Sequence, residues 1–142
     1  GGGLVSTARD YARFCQMLLN GGELAGARIL GRKTIELMTL NHLPGGQDVS
    51  QLNIGGQFSQ VAYEGVGFGL GFSVTLDLAR AQTVGSVGEY AWGGAASTAF
   101  WIDPKEELAV VFMTQVIGSE ARLTLRRDLP TLVYSAMTES FA

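Results

Sequence analysis

Apolar residues recur at Tyr11, Phe14, Cys15, Leu18 and Leu19, the i, i+3, i+4, i+7, i+8 spacing of a single helix face. Ser6 or Thr7 stands where an N-cap belongs, and Thr7 with Asp10 has capping-box spacing. Asn20-Gly21-Gly22 supplies a left-handed stop. A turn-rich stretch from Glu23 to Leu30 leads to a second predicted helix over Arg32–Leu40, closed by Asn41-His42-Leu43-Pro44. From Gly45 to Glu64 periodicity gives way to glutamines and glycine pairs, which predicts a long loop and the most mobile part of the chain. Period two then takes over. Val66, Phe68, Leu70, Phe72, Val74 and Leu76 alternate with Gly67, Gly69, Gly71, Ser73, Thr75 and Asp77, predicting one strand over 65–77 with a large apolar face and a nearly bare one. The bare face would let another backbone or a helix come close.

Two more strands are predicted at Ser97–Ile102 and Leu108–Thr114, with Asp103-Pro104-Lys105-Glu106 as the solvated turn between them. A last helix starts near Ser119-Glu120 and presents Leu123, Leu129, Leu132, Val133, Ala136 and Met137, with Pro130 set to bend it. Three strands joined by hairpins between helices make the expected class α+β, an antiparallel sheet flanked by helices. The 142 residues fit one domain.

Composition narrows the function classes. A net charge of −3, from 10 basic and 13 acidic side chains, excludes a nucleic-acid binder that works by electrostatics alone. The single cysteine, Cys15, excludes an internal disulfide and a multi-cysteine metal site, and its place in the apolar stripe predicts a buried structural thiol. The single histidine, His42, argues against a His-rich metal centre and a self-contained Ser-His-Asp triad; its position predicts helix capping or solvent exposure. No cofactor or metal is expected. No apolar run approaches the ~20 residues of a membrane span, and no signal-peptide pattern precedes the first helix, which leaves the compartment open. Twenty glycines and only 16% charged residues suit a surface partly meant to be covered. Arg122, Arg126 and Arg127 form a basic strip expected on a solvated helix face.

The most informative stretch is Gly88 to Ser97, with Tyr90-Ala91-Trp92-Gly93-Gly94-Ala95-Ala96 at its centre. It opens a strand, yet its middle is too small to fill a core. Gly93 and Gly94 would let a ligand lie against the main chain, so that an exposed N–H could donate to a developing negative charge, with Trp92 as a pocket wall. A glycine bulge with Trp92 in the core accounts for the same residues.

Four features carry a resemblance, in order: Gly2-Gly3-Leu4-Val5-Ser6-Thr7-Ala8-Arg9-Asp10 leading into its helix; Gly67-Phe68-Gly69-Leu70-Gly71-Phe72; Trp92-Gly93-Gly94 followed by Ala95 to Asp103-Pro104; and Leu108 to Gln115 before a terminal helix. Together they resemble the C-terminal part of the serine β-lactamase and penicillin-binding-protein-like superfamily, in particular its class C-like esterases. The resemblance implies the C-terminal portion of the β-lactamase/transpeptidase-like fold, hence a partial domain over 1–142. Trp92-Gly93-Gly94 stands where the family carries a Lys/His-Thr/Ser-Gly motif. By resemblance the backbone N–H of Ala95 supplies half of an oxyanion hole, and the absent lysine shifts preference from β-lactams to neutral acyl esters.

The family's Ser-x-x-Lys nucleophile is missing: no serine here has a lysine three positions on, and the only lysines are Lys33 and Lys105. No Tyr-x-Asn follows from Tyr11, Tyr63, Tyr90 or Tyr134 either. In the family both motifs precede the matching segment. An activated serine needs a base within hydrogen-bond reach, so this chain alone is expected to be inactive, its acyl ester or β-lactam substrate met only in a complete protein. The alternative is a non-catalytic module that self-associates, or binds a partner, through an apolar face left exposed. A small enzyme of another class using Glu89, Glu64 or His42 finds no spacing that signals acid–base work, because the acidic residues read as turn and helix-start positions.

Overall fold

The computed structural model describes residues 4–52, 63–117 and 121–141. Its elements run α1 (Ala8–Leu19), β1 (Glu23–Leu24), β2 (Ala27–Arg28), α2 (Arg32–Met38), β3 (Val66–Phe68), β4 (Ser73–Thr75), α3 (Leu78–Ala81), β5 (Tyr90–Gly93), β6 (Ala99–Asp103), β7 (Leu108–Phe112) and α4 (Ala121–Ser135). The class is α+β. β3 to β7 form one antiparallel sheet in sequence order, and β1 with β2 makes a separate small hairpin.

Thr7 caps α1 as its spacing predicts: its Oγ1 accepts from the Asp10 amide at 3.1 Å and donates to the Asp10 carboxylate at 2.9 Å. Gly22 ends the helix at φ +98°, its N–H bonded to the Met17 carbonyl at 2.8 Å. A Cβ there would lie 2.1 Å from the Leu30 carbonyl oxygen, so no other residue fits. The buried face is turned slightly from the predicted stripe. Cys15, Met17 and Leu18 are buried, while Phe14 stays at the rim, edge-on to Tyr11. Burial pushes the Cys15 thiol up to about 11, the inert structural role its position implied.

The predicted single strand over 65–77 is instead a hairpin. Phe68 pairs with Ser73, and Gly71 takes φ +102° in the intervening turn, closed by the Gly69 N–H on the Phe72 carbonyl at 2.8 Å. The pairing joins even-numbered to odd-numbered residues, so the alternating apolar set divides between the two sheet faces. Phe72 and Val74 enter the core under α1, whereas Val66 and Phe68 share a face with Thr75 and Ser73. The bare glycine positions do admit close neighbours. A Cβ on Gly69 would sit 2.1 Å from the Met38 carbonyl oxygen at the end of α2, and one on Gly67 would sit 2.5 Å from the Asn41 side chain. Helix α2 itself stops at Met38, two residues early, with Thr39 as its cap.

Tyr90, Phe100 and Ile102 complete the core beneath α1. The alternate residues Glu89, Trp101 and Asp103 face α4, to which Glu89 and Asp103 are joined through Tyr134. Helix α4 runs through Pro130. Of the predicted loop, the described part holds two single 3₁₀ turns at Pro44–Gly46 and Val49–Leu52; the rest, and with it the expected mobility, lies outside the described residues.

Candidate functional site

Strand β5 ends at Gly93, and the chain turns through Gly94 to Thr98 into β6. The Gly94 N–H bonds the Thr98 carbonyl at 2.9 Å, and the Ser97 N–H bonds the Gly94 carbonyl at 3.1 Å. Ser97 adopts φ +67°, uncommon for a residue with a side chain, and is held there because its buried hydroxyl donates to the Val116 carbonyl at 2.6 Å. The Val116 N–H returns a bond to the Ala96 carbonyl at 3.1 Å. The bend is therefore fastened on both sides of Ala95. The Ala95 N–H itself has no partner among the described residues, and Ala95 is exposed. A Cβ on Gly94 would lie 2.5 Å from Thr98 Oγ1, which explains the second glycine of the pair.

Trp92 is half-buried and meets Phe68 edge-to-face at 5.0 Å. Both line a cavity of about 270 Å³ with Leu43, Val49, Leu52, Tyr63 and Ser73. Among the described residues no charged side chain lines it. A cavity of about 150 Å³ already accepts benzene, so this one has room for a larger apolar group. Trp92 thus serves both readings of the sequence, touching the core and walling a pocket.

Two polar residues that sequence reasoning passed over hold the outer wall. Asn41 Oδ1 accepts from the Phe68 and Leu43 amides at 3.1 and 3.2 Å, while its Nδ2 donates to the Gln47 carbonyl at 2.8 Å. Asp48, with its side chain 1% exposed, accepts from Ser50 Oγ at 2.5 Å, the Gly65 amide at 2.9 Å and Arg80 Nη2 at 2.5 Å. Those donors, the Ser50 hydroxyl first, hold its carboxyl below the usual aspartate range. The clasp ties the 44–52 segment to β3 and α3. Ser50-after-Asp48 is a local signal that could have been read; Arg80, 32 residues away, could not.

His42 caps, as expected: its Nε2–H donates to the Leu37 carbonyl at 2.8 Å. Arg127 is exposed and paired with Asp128, while the Arg122 and Arg126 side chains lie outside the described residues. The reading of the acidic residues as solvated turn positions is corrected. Glu89 and Asp103 are 8% and 0% exposed, and the Tyr134 hydroxyl lies between them at 2.7 and 2.8 Å. Asp103 is drawn inward because its Oδ1 accepts the Lys105 and Glu106 amides of its own turn, at 3.0 and 3.3 Å. Beneath α4 a second hollow of about 190 Å³ reaches from Thr75 and Trp101 to Pro130; the buried Trp101 Nε1–H has no partner among the described residues.

A family model described as Beta-lactamase matches residues 1–133. The chain belongs to the beta-lactamase family. Two Mycobacterium tuberculosis proteins, one of them called Protein Rv1367c and the other uncharacterized, are each 36% identical to it over 118 residues. The match covers 81% of this chain but 28% of theirs, so the chain spans less than a third of the curated relatives' length. Among solved structures it is similar to EstCE1, a hydrolase with promiscuous acyltransferase activity, at TM-score 0.63 and 27% identity, over 87% of this chain and 29% of that one. It shares its fold with simvastatin synthase from Aspergillus terreus, at TM-score 0.69 and 21% identity, over 91% and 33% of the two chains. It also shares it with a beta-lactamase from Mycobacterium bovis, at TM-score 0.67 and 22% identity, over 92% and 44%. No helix among the described residues of this beta-lactamase-family chain is long and apolar enough to cross a membrane.

Proposed function

We propose that this chain furnishes the oxyanion strand and the acyl-pocket wall of a serine hydrolase that acts on neutral acyl esters, and is catalytically silent by itself. The observation that carries the reading is the Ala95 amide, without a partner among the described residues at a pinned bend just beyond Trp92, which walls a cavity whose described lining holds no charged side chain. A fixed donor of this kind stabilises an oxyanion without reorganising during reaction. Gly93 and Gly94 keep side chains out of the approach, and the apolar wall suits an acyl chain better than a carboxylate-bearing β-lactam. No Ser-x-x-Lys occurs in the sequence, so the nucleophile and its base come from another segment. Val49 and Leu52 wall the pocket on its outer side, in what this proposal takes as a partial domain spanning 1–142.

The test is covalent labelling with a fluorophosphonate probe, read by intact mass. This chain alone should gain no adduct; supplied in cis with a segment bearing Ser-x-x-Lys, it should permit labelling of that serine and turnover of a short acyl ester well above a penicillin. An adduct on a serine of residues 1–142 overturns the proposal.

Self-association is the second reading. It is favoured by β7, an apolar strand at one end of the sheet with every residue partly exposed, and by Met113, Ile117 and Leu132 at 42%, 80% and 65% exposure. Light scattering should then find dimers or larger species; a monodisperse monomer sinks this reading and leaves the first intact.

A further inference from the structure

We propose that α4 is latched to the sheet by a single shared proton, carried on Glu89 and relayed through the Tyr134 hydroxyl to the Asp103 carboxylate, and that the latch opens when that proton is lost toward alkaline pH. This inference is independent of the hydrolase reading.

Proton counting carries it. Tyr134 oxygen lies 2.7 Å from Glu89 Oε2 and 2.8 Å from Asp103 Oδ2. A phenol has one proton to donate. With both carboxylates ionised, one of these contacts would press two lone pairs together in a site that is 8% exposed at Glu89 and closed at Asp103. One carboxyl must therefore be an acid. Asp103 already accepts two backbone amides on its other oxygen. No such donor reaches the Glu89 carboxyl among the described residues. The Glu89 acid thus donates to Tyr134, and Tyr134 donates to Asp103. Gly85, at φ +128°, seals the site: a Cβ there would lie 2.7 Å from Glu89 Oε2 and 3.2 Å from the Tyr134 oxygen.

Of the described charged groups on neighbouring elements, Asp103 alone bears on Glu89. On α3, Arg80 is held by Asp48 and Asp77 caps the helix. In the β6–β7 turn Lys105 is exposed, and Glu106 accepts Ser140 Oγ and the Phe141 amide. On α4, Arg127 pairs with Asp128. Burial first, and then the Asp103 charge, raise the Glu89 carboxyl from 4.5 to about 7, against the opposing bond from Tyr134.

The sign follows from linkage. A carboxyl whose folded value is raised holds more protons folded than unfolded, so its support is complete below pH 4.5 and is lost progressively as pH rises to about 7. Across that window the equilibrium for releasing α4 should move toward release by roughly tenfold per pH unit. On deprotonation the proton leaves to solvent, two carboxylates face one phenol, and α4 loses its anchor.

Two measurements on this chain test the latch. Infrared spectroscopy of the folded wild type at pH 6 should show the carbonyl stretch of one buried carboxylic acid, shifted in D₂O and fading as pH passes about 7. Protection of the α4 amides against hydrogen exchange, relative to the intrinsic rate at each pH, should fall between pH 4.5 and about 7. Glu89→Gln, whose amide can donate to Tyr134 at every pH, should lose the infrared band and make α4 protection independent of pH here. An absent acid band in folded wild type, a band that survives Glu89→Gln, or unchanged pH dependence in that variant each overturns the proposal. If the variant fails to fold, the wild-type band and its titration decide alone.

Discussion

Ala95→Pro, in a protein completed by the Ser-x-x-Lys segment, is expected to lower kcat for a short acyl ester by roughly 10²–10³-fold, the effect of removing one oxyanion donor. Proline removes that N–H, and it also fixes φ at about −65° and restrains Gly94 before it, which circular dichroism and the Ala95→Gly variant must be read against. Among the described residues that N–H takes no part in the bend, which rests on the Gly94, Ser97 and Val116 bonds. KM should move little, because the donor meets charge that develops in the transition state rather than in the bound ester. Ala95→Gly keeps the amide and should remain within a few-fold of the parent. Equal losses in both variants would mean that the bend, not the donor, matters. A wild-type rate in Ala95→Pro, with unchanged circular dichroism, would remove Ala95 from the chemistry altogether.

Ile102→Ala is expected to destabilise the fold by about 2–5 kcal/mol, since the side chain is fully enclosed and its removal leaves a cavity as well as lost burial. Ile102 packs in the cluster that joins α1 to the sheet through Cys15, Leu18, Phe72, Val74, Tyr90 and Phe100. Against a typical total stability of about 5–15 kcal/mol, that loss decides whether the chain stays folded. Urea denaturation should show a lower midpoint with an unchanged slope. Ile117→Ala is the internal comparison: at 80% exposure it should stay within about 0.5 kcal/mol of the parent. Similar losses at both positions would contradict the core as described.

Local order was legible because its causes are local. The Thr7 cap, the glycine stop after α1, the Asp103 turn and the β6–β7 hairpin each follow from residues within a few positions of one another, whereas β5 was not read as a strand of its own. The glycine alternation over 65–77 was legible as extended chain but not as a hairpin, since a pleated strand and a folded-back pair show the same period of two. What separates them is the turn at Gly71 and the pressure of α2 on Gly69, a contact between segments about thirty residues apart.

The candidate site divides the same way. Trp92-Gly93-Gly94 stood out because glycines beside a tryptophan are poor core material, and the resemblance to β-lactamase relatives rested on those residues and their order. The sequence by itself determined the element types, the family, the lack of a Ser-x-x-Lys nucleophile and the neutral thiol at Cys15. Only the tertiary structure decided which polar groups leave water together: Asp48 with Arg80 across 32 residues, and Tyr134 with Asp103 and Glu89 across 31 and 45. Periodicity reports how each segment divides between solvent and core. It carries no information on which distant partner will satisfy a buried charge, because that pairing is set by how packed elements stack, and its energy exists only once water has been excluded.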